Sequence, residues 1–438
     1  MKKIKQKSSR FKSPKIQTSF DGKSLTSYAG LVPVMRFLNK INLADELNKI
    51  FPTERYSATK FSKVHIFMGL ICASLSGINR LTKIAHFTHD ALVSTLLGLK
   101  KGFNKDVIGK TLKELGQKGA VYFHEYFLKK SAEFLEESAL EEITLDADST
   151  VQTVYGNQEG AEKGFNSSKK GAKSYHPLLV FCSEIKLLVN TWFRSGNSYT
   201  ANGILDFLNQ TAEVLPAKIK KVFFRADSGF FGGELFDLLE EKGWDFLVKA
   251  KLNQVIKKAI QSAIWCQPDV KKEEWISEFN YKAKSWEKSR KLKIFRTIKE
   301  WKEVEMFGTF ERVPIYQHAV YCSNLTEDAK GLHAKYVERA TSENWIEETK
   351  NHLFAGKTLT NDFHANDILW MISSLSYNFS VMLRFSKQKI HWKEEHNTFR
   401  DWFIKVPALL VRGGNQLKLR LYSQYLFREK WERFERLI

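Results

Sequence analysis

The sequence predicts an α/β protein: a mixed sheet with helices, interrupted by a β-rich insertion and preceded by an all-α segment. Three observations support this. Apolar residues recur with helical period from about residue 30 to 140. From residue 141 the pattern changes to short apolar runs that break at Ser, Thr or Gly. Between residues 251 and 314 hydrophobic and polar residues alternate around four tryptophans, Trp265, Trp275, Trp286 and Trp301.

In chain order, residues 1–29 are expected to be a basic flexible arm beginning Met1-Lys2-Lys3-Ile4-Lys5, with no apolar stretch of the kind a secretory signal needs. Residues 30–140 are expected to be a helical DNA-binding domain. Leu31 to Leu38 opens one helix and His65 to Ile71 another. Two short helices flank Gly98 to Asn104. The second starts near Asp106, with Val107, Ile108, Leu112 and Leu115 on one side and Lys110 and Lys113 on the other. That pattern suits either a helix-turn-helix or an ordinary helical hairpin.

Residues 141–250 are expected to be the first part of an α/β domain. A strand ends in Asp146-Ala147-Asp148, and two more run Leu178 to Cys182 and Leu187 to Trp192. A helix over Asn202 to Thr211 leads to a strand ending at Asp227, then to a helix near Glu234 to Leu239 and a strand at Phe246 to Val248. Three hairpin-linked strands followed by helix, strand, helix, strand is the order of a ribonuclease H-like fold. Residues 251–314 would be the β-rich insertion. Residues 315–390 would complete the domain, with Ile368 to Leu383 as a buried helix. Residues 391–438 form an aromatic and basic tail that includes Arg412, Lys418, Arg420 and Arg428.

Two acidic clusters close apolar strands, Ile143 to Asp148 and Val222 to Asp227. A carboxylate at a strand end is accessible yet rigidly aimed, which a hard-cation site requires. Asp146 and Asp148 face the same way from a strand of period two, so either can be the first acid; Asp148, followed by Ser149 and Thr150, is preferred and Asp146 held in reserve. A third acid lies in YVERATSENWIEETK, where Tyr336, Arg339, Glu343 and Lys350 stand at offsets 0, 3, 7 and 14 and line one side of about four helical turns. An exposed helix with i,i+4 charge pairs gives a similar pattern, but it does not account for two further acids on rigid elements.

The order Asp148, Asp227, Glu343, with the last acid inside Tyr-x2-Arg-x3-Glu-x6-Lys, resembles the DDE transposases of bacterial insertion sequences, in the branch carrying that YREK signature. Gly156 to Gly160, His176 to Leu179 and Arg194 to Asn197 fit as well, so that the resemblance spans roughly residues 30 to 385. It implies that Asp148, Asp227 and Glu343 are catalytic and hold two Mg²⁺ ions, for which Mn²⁺ can substitute. Arg339 and Lys350 would grip DNA phosphates and Tyr336 would bind DNA near the cut. It also implies an insertion that contacts the transposon end, where an aromatic ring can stack on an unpaired base. The activity would be cutting at transposon ends and joining of 3′ ends to target DNA. Its partners would be double-stranded DNA (terminal inverted repeats and target) and a second copy of the chain in a paired-end complex, in the bacterial cytoplasm at the nucleoid. A DNA nuclease of the same fold without strand transfer, or a catalytically silent DNA-binding relative, are the alternatives.

Composition agrees. With 69 Lys and Arg against 49 Asp and Glu, the net charge is +20, which attracts polyanions. No apolar run approaches the length needed to span a membrane. The four cysteines stand singly, without zinc-ligand spacing or a disulfide pattern.

Overall fold

The computed structural model describes residues 16–52, 61–166, 169–306, 309–384, 394–414 and 416–438. The basic stretch at residues 1–15 and the start of the tail at 391–393 lie outside them.

The large sheet begins with strands β1 (Glu142–Ser149), β2 (Leu178–Cys182), β3 (Leu187–Trp192), β4 (Lys221–Ala226) and β5 (Asp245–Lys249). β1, β2 and β3 form an antiparallel meander, and β4 and β5 add in parallel on the other side of β1. Helices Ile204–Glu213 and Gly233–Glu241 make the two crossovers. This is the ribonuclease H-like arrangement, a mixed sheet whose central strand carries the first acidic cluster. Every residue of β2 is buried, as are the first five of β3, which explains why these strands read as continuous apolar runs.

The insertion continues this sheet. Strands β6 (Glu274–Tyr281), β7 (Arg290–Met306) and β8 (Thr309–Ser323) give the full order β6-β7-β8-β5-β4-β1-β2-β3. The domain break expected at residue 314 therefore falls inside β8. Its outer half pairs only with β7, while Tyr321, Cys322 and Ser323 pair with Lys249, Val248 and Leu247 of β5. Strand alternation is the same on both sides of residue 314, so the sequence could not show where the sheet proper resumes.

Helices between residues 31 and 137 cover one face. The longest, α1 (Lys105–Glu137), starts at Asn104, whose side chain accepts from the Val107 amide at 2.9 Å. Lys110 and Lys113 are exposed and Ile108 and Leu112 buried, as their spacing implies. Gly116 breaks this stretch with non-helical angles (φ 52°, ψ −152°), so the short helix expected up to Leu115 ends there and a second helix, with Gly119, Ala120 and Phe123 buried, runs on to Glu137. The preceding helix, Ala91–Leu96, has only six residues.

The apolar stretch at Ile368 to Leu383 lies in the buried helix α2 (Phe363–Arg384), packed against α1, the helix Lys63–Leu75 and β3. Two of its polar groups join it to the sheet. The Asn378 amide donates to Leu188 O (2.8 Å) and accepts from Leu188 N (3.0 Å), and Trp370 Nε1 donates to Thr191 Oγ1 at 2.9 Å. No described helix is long and apolar enough to cross a membrane.

The tail folds back on the beginning of the chain. Ala408–Gly413 pairs with Leu25–Thr26 and with Gln416–Leu421, while Trp431 and Phe434 are buried in the same continuous core as the N-terminal helices and the large sheet. Gly30 lets this happen, since a Cβ there would sit 1.6 Å from the Phe403 carbonyl oxygen.

Candidate active site

The predicted acids come from three elements, two of them interior strands of the sheet that end side by side. In the β1–β4 register Asp146 faces Arg225 and Ala147 faces Ala226, so Asp148 and Asp227 occupy adjoining strand ends. Asp227 is half-buried, and its carboxylate accepts from the Gly229 amide at 2.9 Å, capping the 3-10 turn Ser228–Phe230. Glu343 comes from the helical run after β8. That run is not one α-helix: α-helical Ala329–Val337 passes into a 3-10 turn at Glu338–Ala340, then α-helical Thr341–Glu347, then a π turn at Glu348–His352. The changes of winding alter which side chains share a face. Glu343 is exposed, whereas Arg339 is buried.

Asp148 and Asp146 have different surroundings although they share a strand face. Asp146 is fully buried and held by the Arg225 fork, Nε to Oδ1 at 2.7 Å and NH2 to Oδ2 at 2.9 Å. Asp148 retains some exposure and accepts from the Ser149 amide at 2.8 Å. Arg339 lies against it, NH2 to Oδ2 at 2.9 Å, and also donates to Ala147 O at 3.1 Å. Burial pushes the Asp148 carboxyl up to about 6; the Arg339 charge opposes this, and the charges of Asp227 and Glu343 add to it.

The other signature residues also meet protein groups. Lys350 Nζ donates to Thr150 Oγ1 (2.8 Å) and Val151 O (2.9 Å), the segment just after Asp148, and burial lowers its proton affinity. The Tyr336 ring packs on Tyr321 at 5.1 Å, with Lys249 Nζ 5.7 Å from its centre. Arg339 Nε is buried with no hydrogen-bond partner among the described residues.

A sequence-family model described as transposase DDE domain group 1 matches residues 8–437. The chain belongs to that DDE transposase family. No curated protein sequence matches it. Among solved structures it is similar to piggyBac transposase in a synaptic complex with hairpin DNA (11% identity, 85% of this chain and 79% of that one, TM-score 0.46). It is also similar to Mos1 mariner transposase in a paired-end complex with Mn (11% identity, 50% and 77%, TM-score 0.18).

Asp148, Asp227 and Glu343 are all at least partly accessible carboxylates, which are chemically the donors a hard divalent cation takes. Among the described residues, however, no three His, Cys, Asp or Glu side chains are arranged to hold a metal ion. In this DDE transposase the Arg339 guanidinium on Asp148 already neutralises part of the charge that a cation would meet. The donor types therefore fit the cation, and ligation requires the acids to draw closer.

The sequence did not assign roles to the residues around the site. His176 bridges Ser149 and Ser198: Nε2 lies 3.0 Å from Ser149 Oγ and Nδ1 lies 2.7 Å from Ser198 O. With Nδ1–H donating to that carbonyl, Nε2 accepts from the Ser149 hydroxyl. Arg194 donates to His176 O and Asn202 O at 3.0 and 2.6 Å. Gly196 passes between Ser174 O and Glu162 O, where a Cβ would come within 2.0 and 2.4 Å. The loops carrying the secondary motifs thus buttress the end of β1.

The insertion's tryptophans divide into two kinds. Trp286 is buried against Phe231, Phe236 and Tyr281. Trp265 and Trp275 flank the Arg296 guanidinium at 3.9 and 5.0 Å, with Tyr316 at 4.1 Å, and Trp301 is 46% exposed on the β7–β8 ribbon.

Proposed function

We propose that the protein is a transposase of the YREK branch, acting in bacteria on the ends of an insertion sequence, cutting them by phosphodiester hydrolysis and joining their 3′ ends to target DNA. The observation that carries the reading is that Asp148 and Asp227 occupy adjoining strand ends, with the charges of Asp227 and Glu343 both felt at Asp148, in a chain of the DDE transposase family. These three acids are the proposed catalytic residues and metal ligands. Asp148 is favoured over Asp146 because Asp146 is fully buried and already bound by Arg225.

Two Mg²⁺ ions, or Mn²⁺, when bound would supply Lewis acidity at the attacking and leaving oxygens. The protein's own residues orient and bind. The Ser149 amide and Arg339 fix the aim of the Asp148 carboxylate, and the Gly229 amide fixes that of Asp227. Tyr336, Arg339 and Lys350 bind DNA near the cut, for which Arg339 must turn some of its donors from Asp148 toward a phosphate. The +20 net charge draws in the polyanion. Two ends are joined in one event, so the working species is a homodimer on paired ends.

The test is incubation of the protein with Mg²⁺ and a duplex of its flanking genomic DNA, with mapping of cut ends and joined products. Cleavage and 3′-end joining that vanish in Asp148→Ala, Asp227→Ala and Glu343→Ala, with end binding retained, are expected. Cleavage without any joined product would make the protein a nuclease. Cleavage that survives in all three variants would remove the site assignment.

A further inference from the structure

Asp146 and Arg225 take no part in the proposed chemistry, yet they form the most enclosed ion pair beside the site. Asp146 is 0% exposed and the Arg225 side chain 3%. Each stands two residues before an acid, Asp146 before Asp148 and Arg225 before Asp227, and they face each other in the β1–β4 register. Arg225 also reaches the third element. Its NH1 donates to Lys335 O at 2.7 Å and to Glu338 Oε2 at 3.2 Å, next to Tyr336 and at the start of the turn carrying Arg339.

We propose that Arg225, held by Asp146, is a positioning residue that fixes the helical run bearing Glu343 relative to the two strands bearing Asp148 and Asp227; this rests on the transposase reading above. One planar guanidinium, itself carried on β4, thereby ties that strand to β1 and to the helical run that leads to Glu343, which a lysine with a single point of charge cannot do. Stability alone does not explain the pair. Taking two charges out of water costs several kcal/mol per ion, and apolar residues of similar volume often serve a core as well or better. What an apolar pair lacks is a directional bond to the Lys335 carbonyl.

The experiment uses the full-length protein with two variants, Arg225→Lys and the double replacement Asp146→Leu with Arg225→Met. Thermal melting, hydrogen exchange of the amides in residues 336–347, end-DNA binding and Mg²⁺-dependent cleavage are compared with wild type. The double variant is expected to melt near or above wild type. Its amides at 336–347 should exchange about tenfold faster, and cleavage should fall about tenfold or more, as on loss of an orienting partner. End binding should not change. Arg225→Lys should move exchange and cleavage the same way, and decides the matter if the double variant does not fold. Unchanged exchange at 336–347, or full cleavage, in a folded variant would overturn the proposal. If wild type itself cuts no DNA, the transposase reading fails, while hydrogen exchange still decides whether Arg225 positions this helix.

Discussion

The Arg339 guanidinium lies 2.9 Å from the Asp148 carboxylate and is buried, although the spacing of its signature suggests a side chain open to DNA. Arg339 therefore has two possible partners, the acid it now contacts and a phosphate. The salt dependence of end binding distinguishes them. If Arg339 takes a phosphate in the complex, Arg339→Ala should flatten the slope of log K against log salt by about one unit. An unchanged slope would confine Arg339 to orienting Asp148.

Asp148 itself should make the protein less stable as pH rises. Its folded pKa is about 6 against an ordinary 3.8, so between those values the native state holds a proton that the unfolded chain has lost. Stability should decline across that window by about 3 kcal/mol, at about 1.4 kcal/mol per unit. In Asp148→Asn the decline should be absent. Wild type and variant should melt alike near pH 4, and the variant should melt higher near pH 7. Parallel melting curves across that range would contradict this.

His396 should act in the opposite direction. It is fully buried, with Nε2 donating to Leu75 O at 2.9 Å and Nδ1 2.6 Å from Ser380 Oγ, and burial holds its pKa well below 6.5. Arg384 and Arg400 nearby lower it further. Below pH 6.5 the unfolded chain takes up a proton that the native imidazole refuses, so stability falls with pH, by up to about 1.4 kcal/mol per unit. Denaturant titrations of His396→Gln should show a shallower loss between pH 6.5 and 5. An equal loss would place the acid sensitivity elsewhere.

Substitution at Gly30 should loosen the tail. With 1.6 Å between a new Cβ and Phe403 O, Gly30→Ala must move backbone on one side or the other. Limited proteolysis should then cut sooner in residues 408–438, and stability should fall by about 1–3 kcal/mol, as for other overpacked sites. Wild-type resistance would mean that the contact relaxes without consequence.

The sequence by itself determined the candidate acids, the order of the strands along the chain and the resemblance to the DDE transposases. Strand ends on carboxylates, and a helix of fixed spacing, are local patterns that depend on backbone periodicity alone. The strands at Leu178 to Cys182 and Leu187 to Trp192 could be located to the residue for that reason. Tertiary structure decided what depends on partners far along the chain. Asp146 and Asp148 are indistinguishable by period, and they diverge because Arg225, 79 residues on, meets the first and Arg339 the second. The signature helix reads as continuous, yet the chain there changes winding through 3-10 and π turns, with Arg339, Trp345 and Glu348 buried. The tail's pairing with Leu25–Thr26 and the union of β8 with β5 are likewise long-range. Periodicity fixes which face of an element is apolar, and only packing fixes what that face meets.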